Sequence, residues 1–168
     1  VMVKTNDKSF INGFEIDSLD LFITANDKKI KTVLSGYLNE TGLLIDGNID
    51  FTDRNIPKYY LSGNINGFNT SKFSTDSLSD VSSNINLSFN ANGNSFNIDS
   101  LTGNVELSLS ESEYNGNMVL PADFSLEISH VDSIKSINLK SDIMDFVIEG
   151  NFSLKAAIDV LSYESETI

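Results

Sequence analysis

The chain has 168 residues, 24 acidic against 11 basic side chains, a formal charge of -13, and apolar residues at 40%. One arginine, Arg54, and ten scattered lysines exclude the clustered cations that displace counterions from phosphates, so nucleic acid is not an expected partner. The absence of cysteine excludes disulfide frameworks and thiolate chemistry, a single histidine, His130, excludes His-rich metal centres, and no run approaches the roughly 20 apolar residues that span a bilayer.

The elements follow one another at period two. Leu19-Leu21-Ile23 and Ile30-Thr32-Leu34 open the series, separated by the polar break Asn26-Asp27-Lys28-Lys29. Leu43-Ile45-Gly47-Ile49-Phe51 follows, then a break at Asp53-Arg54-Asn55, then Tyr59-Leu61-Gly63-Ile65. Val81 to Ala91, Leu101 to Leu109, Phe124-Leu126-Ile128 and Ile137-Leu139 continue the pattern, and an alternating run from Met144 to Val160 closes it. Alternation at period two is the signature of a strand with one apolar and one polar face. Asn-Gly at 12–13, 66–67, 92–93 and 115–116 supplies the positive φ angles of tight hairpins. The expectation is an all-β antiparallel meander of about nine to eleven strands forming a single unit over 1–168, with short helical plugs at most at Thr70–Leu78 and Ala156–Tyr163.

A sheet with one apolar face must cover it, and the chain offers almost no helix. A curled trough with an apolar interior and a two-sheet β-sandwich are the leading alternatives, with a closed barrel as a third. Glycines fall on the apolar face at Gly47, Gly63, Gly103 and Gly150, where the reason for glycine is strong curvature or close approach of another group.

Candidate chemistry is sparse. Asp46, Asn48 and Asp50 share the outer face, which reads as solvated surface; Glu111 and Glu113 form another pair expected by chance. Asp46 to Asp50 lacks the ligand order of a calcium loop. His130 belongs beside a turn between Ile128 and Ile134, with no nucleophile arranged around it. Tyr59 is expected inward and Tyr60 outward, where it could serve a glycan-binding surface. No enzyme activity, cofactor or metal is expected.

Three stretches carry a family resemblance. Leu44 to Phe51, Tyr60 to Phe73 and Ser100 to Leu107, each built on a Gly-Asn step leading into an alternating strand, resemble the repeat-rich periplasmic region of TamB and AsmA-like proteins in a form common in Bacteroidota. Ile137 to Asp142 leading into Ile148 to Leu154 resembles the same family, and the likeness extends from about Asp17 to Leu161. It implies a periplasmic segment of a longer protein anchored in the inner membrane, from which this chain reads as a piece without its membrane helix. It further implies a phospholipid-carrying groove serving outer-membrane biogenesis, and an Omp85-type outer-membrane barrel as partner of the parent protein. The groove residues expected on that basis are Ile45, Ile49, Phe51, Leu61, Ile65, Leu87, Phe89, Val105, Leu107, Leu109, Leu126, Ile128, Phe146, Ile148, Phe152 and Leu154. The competing function is a cell-surface adhesin-like module that binds glycan or protein.

Overall fold

The computed structural model describes residues 1–5, 8–11, 14–73 and 81–155. Its strands are β1 (Met2–Thr5), β2 (Ser9–Ile11), β3 (Phe14–Asn26), β4 (Lys29–Leu38), β5 (Thr41–Asp50), β6 (Lys58–Phe68), β7 (Ser83–Asn94), β8 (Thr102–Leu109), β9 (Ser112–Tyr114), β10 (Asn117–Val119), β11 (Ala122–Val131), β12 (Ile134–Ser141) and β13 (Asp145–Gly150). All belong to one open antiparallel sheet with the order β1-β3-β4-β5-β6-β7-β8-β11-β12-β13. The short β2 shares the β3 edge with β1, and the β9–β10 hairpin continues β8 alongside the start of β7. A sandwich needs a second sheet and a barrel needs the two ends to pair. Here β1 and β13 are separate edges, and the sheet curls as an open trough with the twist that strands impose on one another.

Register explains the two faces. Directly opposed residues project to the same side, so the pairing sorts every strand position. One rung reads Leu21, Leu34, Ile45, Gly63, Phe89, Leu107 and Phe124 across β3 to β11. The next reads Ile23, Thr32, Gly47, Leu61, Ala91, Val105, Leu126, Leu139 and Phe146. A third reads Ala25, Ile30, Ile49, Tyr59, Gly93, Gly103, Ile128, Ile137 and Ile148. The other face carries Asp46, Ser62, Asn90, Glu106, Ser125 and Lys140 in a corresponding rung, with ion pairs Lys29–Asp50 at 3.2 Å and Lys31–Asp46 at 3.4 Å. Such exposed pairs contribute at most about 1 kcal/mol each, so they solubilise the face more than they stabilise it.

The turns differ from the sequence expectation. Asn115-Gly116 does form the two-residue turn between β9 and β10, with φ of 51° and 75°. Asn92-Gly93 lies inside β7, and Asn66-Gly67 sits at a register shift near the end of β6. Asn39-Glu40, at φ 47° and 66°, turns β4 into β5 without any glycine, and Asp132-Ser133 turns β11 into β12. Asn and Asp tolerate the left-handed region because their short polar side chains bond locally. Asn12-Gly13 lies outside the described residues.

The strand expected from Met144 to Val160 ends at Gly150, and Leu154 and Lys155 have helical backbone. Alternation carries on past Gly150 in the sequence, but Leu154 is 3% exposed in a position off the sheet, so burial against other groups overrides the pattern. Of the expected plugs, Thr70–Lys72 is a single 3-10 turn capped by Asn69, whose Oδ1 accepts from the Ser71 amide; Ala156–Tyr163 lies outside the described residues.

Two of the inward glycines lie beneath aromatic rings that need their close approach. A methyl at Gly63 would lie 2.7 Å from the Leu44 carbonyl oxygen and 2.8 Å from the Phe89 ring, which sits over this position from the neighbouring strand. Tyr59 covers Gly93 in the same manner. At Gly47 the nearest atom is the Leu61 Cδ1 at 3.4 Å, an ordinary contact. Gly63→Ala is therefore expected to destabilise the fold by about 1–3 kcal/mol through overpacking, with Gly47→Ala nearly neutral, as read from urea midpoints of the two variants.

Candidate functional site

Among the described residues, no second layer covers the inner face. Among the described residues the buried apolar side chains are Ile16, in β3, and Leu154, beyond β13. Leu61 is 39% exposed, Val105 40% and Phe146 51%, in the middle and at one edge of the apolar rungs.

The expected groove residues fall into two groups. Ile45, Ile49, Leu61, Ile65, Leu87, Phe89, Val105, Leu107, Leu109, Leu126, Ile128, Phe146 and Ile148 occupy successive positions on this one face. Phe51 follows β5, with its amide donating to the Lys28 carbonyl, and its ring meets Phe96 edge-on at 6.2 Å. Phe152 and Leu154 lie beyond β13 rather than on a strand. Leu21, Leu34 and Leu43 extend the same face across β3 to β5 and stand outside the expected set, although their alternation already marks them. Phe96 stands outside it too. No alternation marks Phe96, because it sits in the loop between β7 and β8; it stacks on Tyr59 with ring centres 6.0 Å apart.

That loop closes one end of the trough. Ser95, 3% exposed, shares a 2.7 Å hydrogen bond with Ser100, and Asn97 caps a 3-10 turn at Ile98–Ser100. The turn presents Leu101 to Tyr59, Val105, Leu126 and Ile128, around a cleft of about 50 Å³. Burial pushes the Tyr59 phenol up from its ordinary value. Asp99 accepts from the Ser153 hydroxyl at 2.9 Å and faces Lys135 at 3.4 Å, tying the loop to the segment after β13 and to β12. These contacts, the Ser153 hydroxyl first, hold the Asp99 carboxyl below the usual carboxylate range. At the other end Thr41, 1% exposed, donates to the Gly67 carbonyl, and Phe68 stacks on Phe73 at 4.9 Å.

Two sizeable depressions lie on the polar face. One of about 470 Å³ is bordered by Glu106, Asp123, Lys140 and Asp142, and one of about 690 Å³ by Lys4, Asp20, Tyr37 and Asn66. A twisted sheet is saddle-shaped, so each face is concave along one diagonal. These hollows are open and walled by solvated side chains, and they arise from that shape. The cleft between Tyr59 and Leu101 is far below the roughly 300–1,000 Å³ of a closed ligand pocket. The apolar rungs thus form an extended open surface. Tyr60 does point outward, its hydroxyl donating to the Asn90 Oδ1 at 3.2 Å. His130 stands opposite Lys135 in the last inner rung before the β11–β12 turn.

A carboxyl with a lowered folded-state pKa stabilises the fold above its unfolded value and loses that contribution as pH falls through the folded value. Melting temperature is expected to drop on acidification below about pH 4, with a smaller drop in Asp99→Asn, which cannot titrate at this position; parallel melting curves from pH 7 to pH 2 check it. No protein-family model, no curated protein and no solved structure matches this chain.

Proposed function

We propose that the apolar face carries phospholipid acyl chains, as one segment of a TamB/AsmA-like bridge in the periplasm. The observation that supports this reading is the apolar face that continues from β3 to β13 with no second layer over it among the described residues. At the spacing of β-strands the ten-strand path extends roughly 43 Å, about three times the depth of one leaflet's acyl layer in a hydrocarbon core of about 30 Å. A chain laid across the rungs keeps its methylenes out of water at every step. Each exposed CH₂ costs about 0.8 kcal/mol in water, so a continuous surface lowers the barrier to transit.

The face suits passage better than storage. Its side chains are aliphatic or aromatic with few polar interruptions, which gives affinity without selecting a chain length. Rings seated on Gly63 and Gly93 keep the surface level where bulky residues on neighbouring strands would otherwise stand above it. The polar face, with Asp46, Asp50, Glu106 and Glu127, keeps an elongated molecule soluble and repels like chains. In the parent protein, anchored in the inner membrane, the same reading assigns an Omp85-type barrel as the outer-membrane partner.

Protein purified from a diderm host is expected to carry phospholipid detectable by mass spectrometry of organic extracts. Val105→Asp and Leu107→Asp put a carboxylate in the middle of two rungs and are expected to reduce bound lipid at least about tenfold, because each charge opposes several kcal/mol of apolar contact. Val105 is already 40% exposed, so its replacement tests the surface with little burden on folding. Lipid-free protein from such a host, or full lipid loading in both variants with unchanged circular dichroism, contradicts the proposal.

A further inference from the structure

The apolar face changes character at one place. Along the ten-strand path, the described inner positions hold aliphatic, aromatic, glycine, threonine or serine side chains until the rung beyond Ile128 and Ile137, where His130 and Lys135 stand opposite each other. They are the only imidazole and the only ammonium on inner positions of that path among the described residues. Beside them is a cavity of about 480 Å³, lined among others by Asp99, His130, Asp132, Lys135, Phe152 and Ser153. Three separate segments build it: the β11–β12 hairpin end, the loop after β7, and the segment after β13. The Lys135 side chain is only 12% exposed, which is unusual for lysine and reflects the Asp99 carboxylate held against it. An apolar lane through Val105, Leu126 and Ile128 runs directly into this polar end.

We propose that this cavity is a headgroup site for an amine-bearing zwitterionic phospholipid, which rests on the acyl-chain reading above. The chemistry follows from the charges. Two carboxylates, one ammonium and one imidazole leave an excess of negative charge, so a purely anionic headgroup meets repulsion that a zwitterion avoids. An ammonium of three N–H donors keeps donors to offer after Asp99 takes one, and an imidazole N–H adds another, which suits a phosphate oxygen. Asp132, held at φ 56° in the hairpin turn, places a carboxylate at the rim for the ligand's ammonium. Phe152 supplies the apolar wall where the glycerol backbone meets the first methylenes, which accounts for an apolar residue here that no longer belongs to a strand.

The test is calorimetric titration of the delipidated protein with lysophosphatidylethanolamine, with lysophosphatidylglycerol of the same chain, and with free phosphoethanolamine. The ethanolamine lipid is expected to bind about tenfold more tightly than the glycerol lipid, the effect of one added charged hydrogen bond, with free phosphoethanolamine far weaker than either. Asp132→Asn, at an exposed position, is expected to remove the preference while leaving binding of the glycerol lipid in place, and His130→Gln, also exposed, to weaken both lipids alike and keep their ratio, because both carry the phosphate. Equal affinities for the two lipids, or an undiminished preference in Asp132→Asn, overturns the headgroup site and leaves the acyl-chain reading standing. Binding of neither lipid overturns both. Free phosphoethanolamine binding as tightly as its lipid overturns the amphiphile as ligand class.

Discussion

An antiparallel sheet whose strands alternate in polarity acquires an apolar face whether or not anything exists to cover it, and this constraint governs the rest of the molecule. Most domains meet it with a second layer. Here a single sheet extends from β1 to β13 and the chain adds strand to strand, so among the described residues no second layer lies on the face, and the fold gains its order from long ladders of backbone hydrogen bonds. Curling brings neighbouring apolar side chains together and half-buries them. It does not remove them from water.

The glycines and aromatic rings are the local answer to that constraint. Phe89 and Tyr59 fold onto the glycines opposite them, so apolar area is buried within the face itself, and neither Gly63 nor Gly93 tolerates a side chain. The same device operates at the end of the trough. The loop carrying Phe96 and Leu101 folds back over the rungs, and Asp99 ties it to Lys135 and Ser153. Those ties also gather His130 and Lys135 into a polar end stop, so the structural closure of the trough and the site proposed for a headgroup are made by the same residues.

Much of this architecture is legible in the residues. Period-two alternation locates β3 to β8 and β11 to β13 and puts every expected groove residue except Phe51, Phe152 and Leu154 on strand positions of one face, because side-chain direction along a strand depends on the local backbone alone. The inward placement of Tyr59 and outward placement of Tyr60 follow from the same parity. Longer-range interactions decide the departures. Asn92-Gly93 carries turn chemistry but lies within β7, since the glycine is needed under the Tyr59 ring. The run beyond Gly150 keeps its alternation while leaving the sheet, with Leu154 buried elsewhere and Ser153 held by Asp99.

Parity and hydrogen-bonding chemistry act strand by strand, so the residues alone dictate a two-faced antiparallel sheet with its carboxylates outside. That the sheet stays single and open instead of folding into a sandwich is a property of the whole fold, because it depends on which strand edges meet across the chain. The convergence of Asp99, Lys135 and Ser153 is of the same kind. Asp99 and Ser153, 54 positions apart, share one cavity only when the β7–β8 loop, the β11–β12 hairpin and the segment after β13 meet at the same end of the trough.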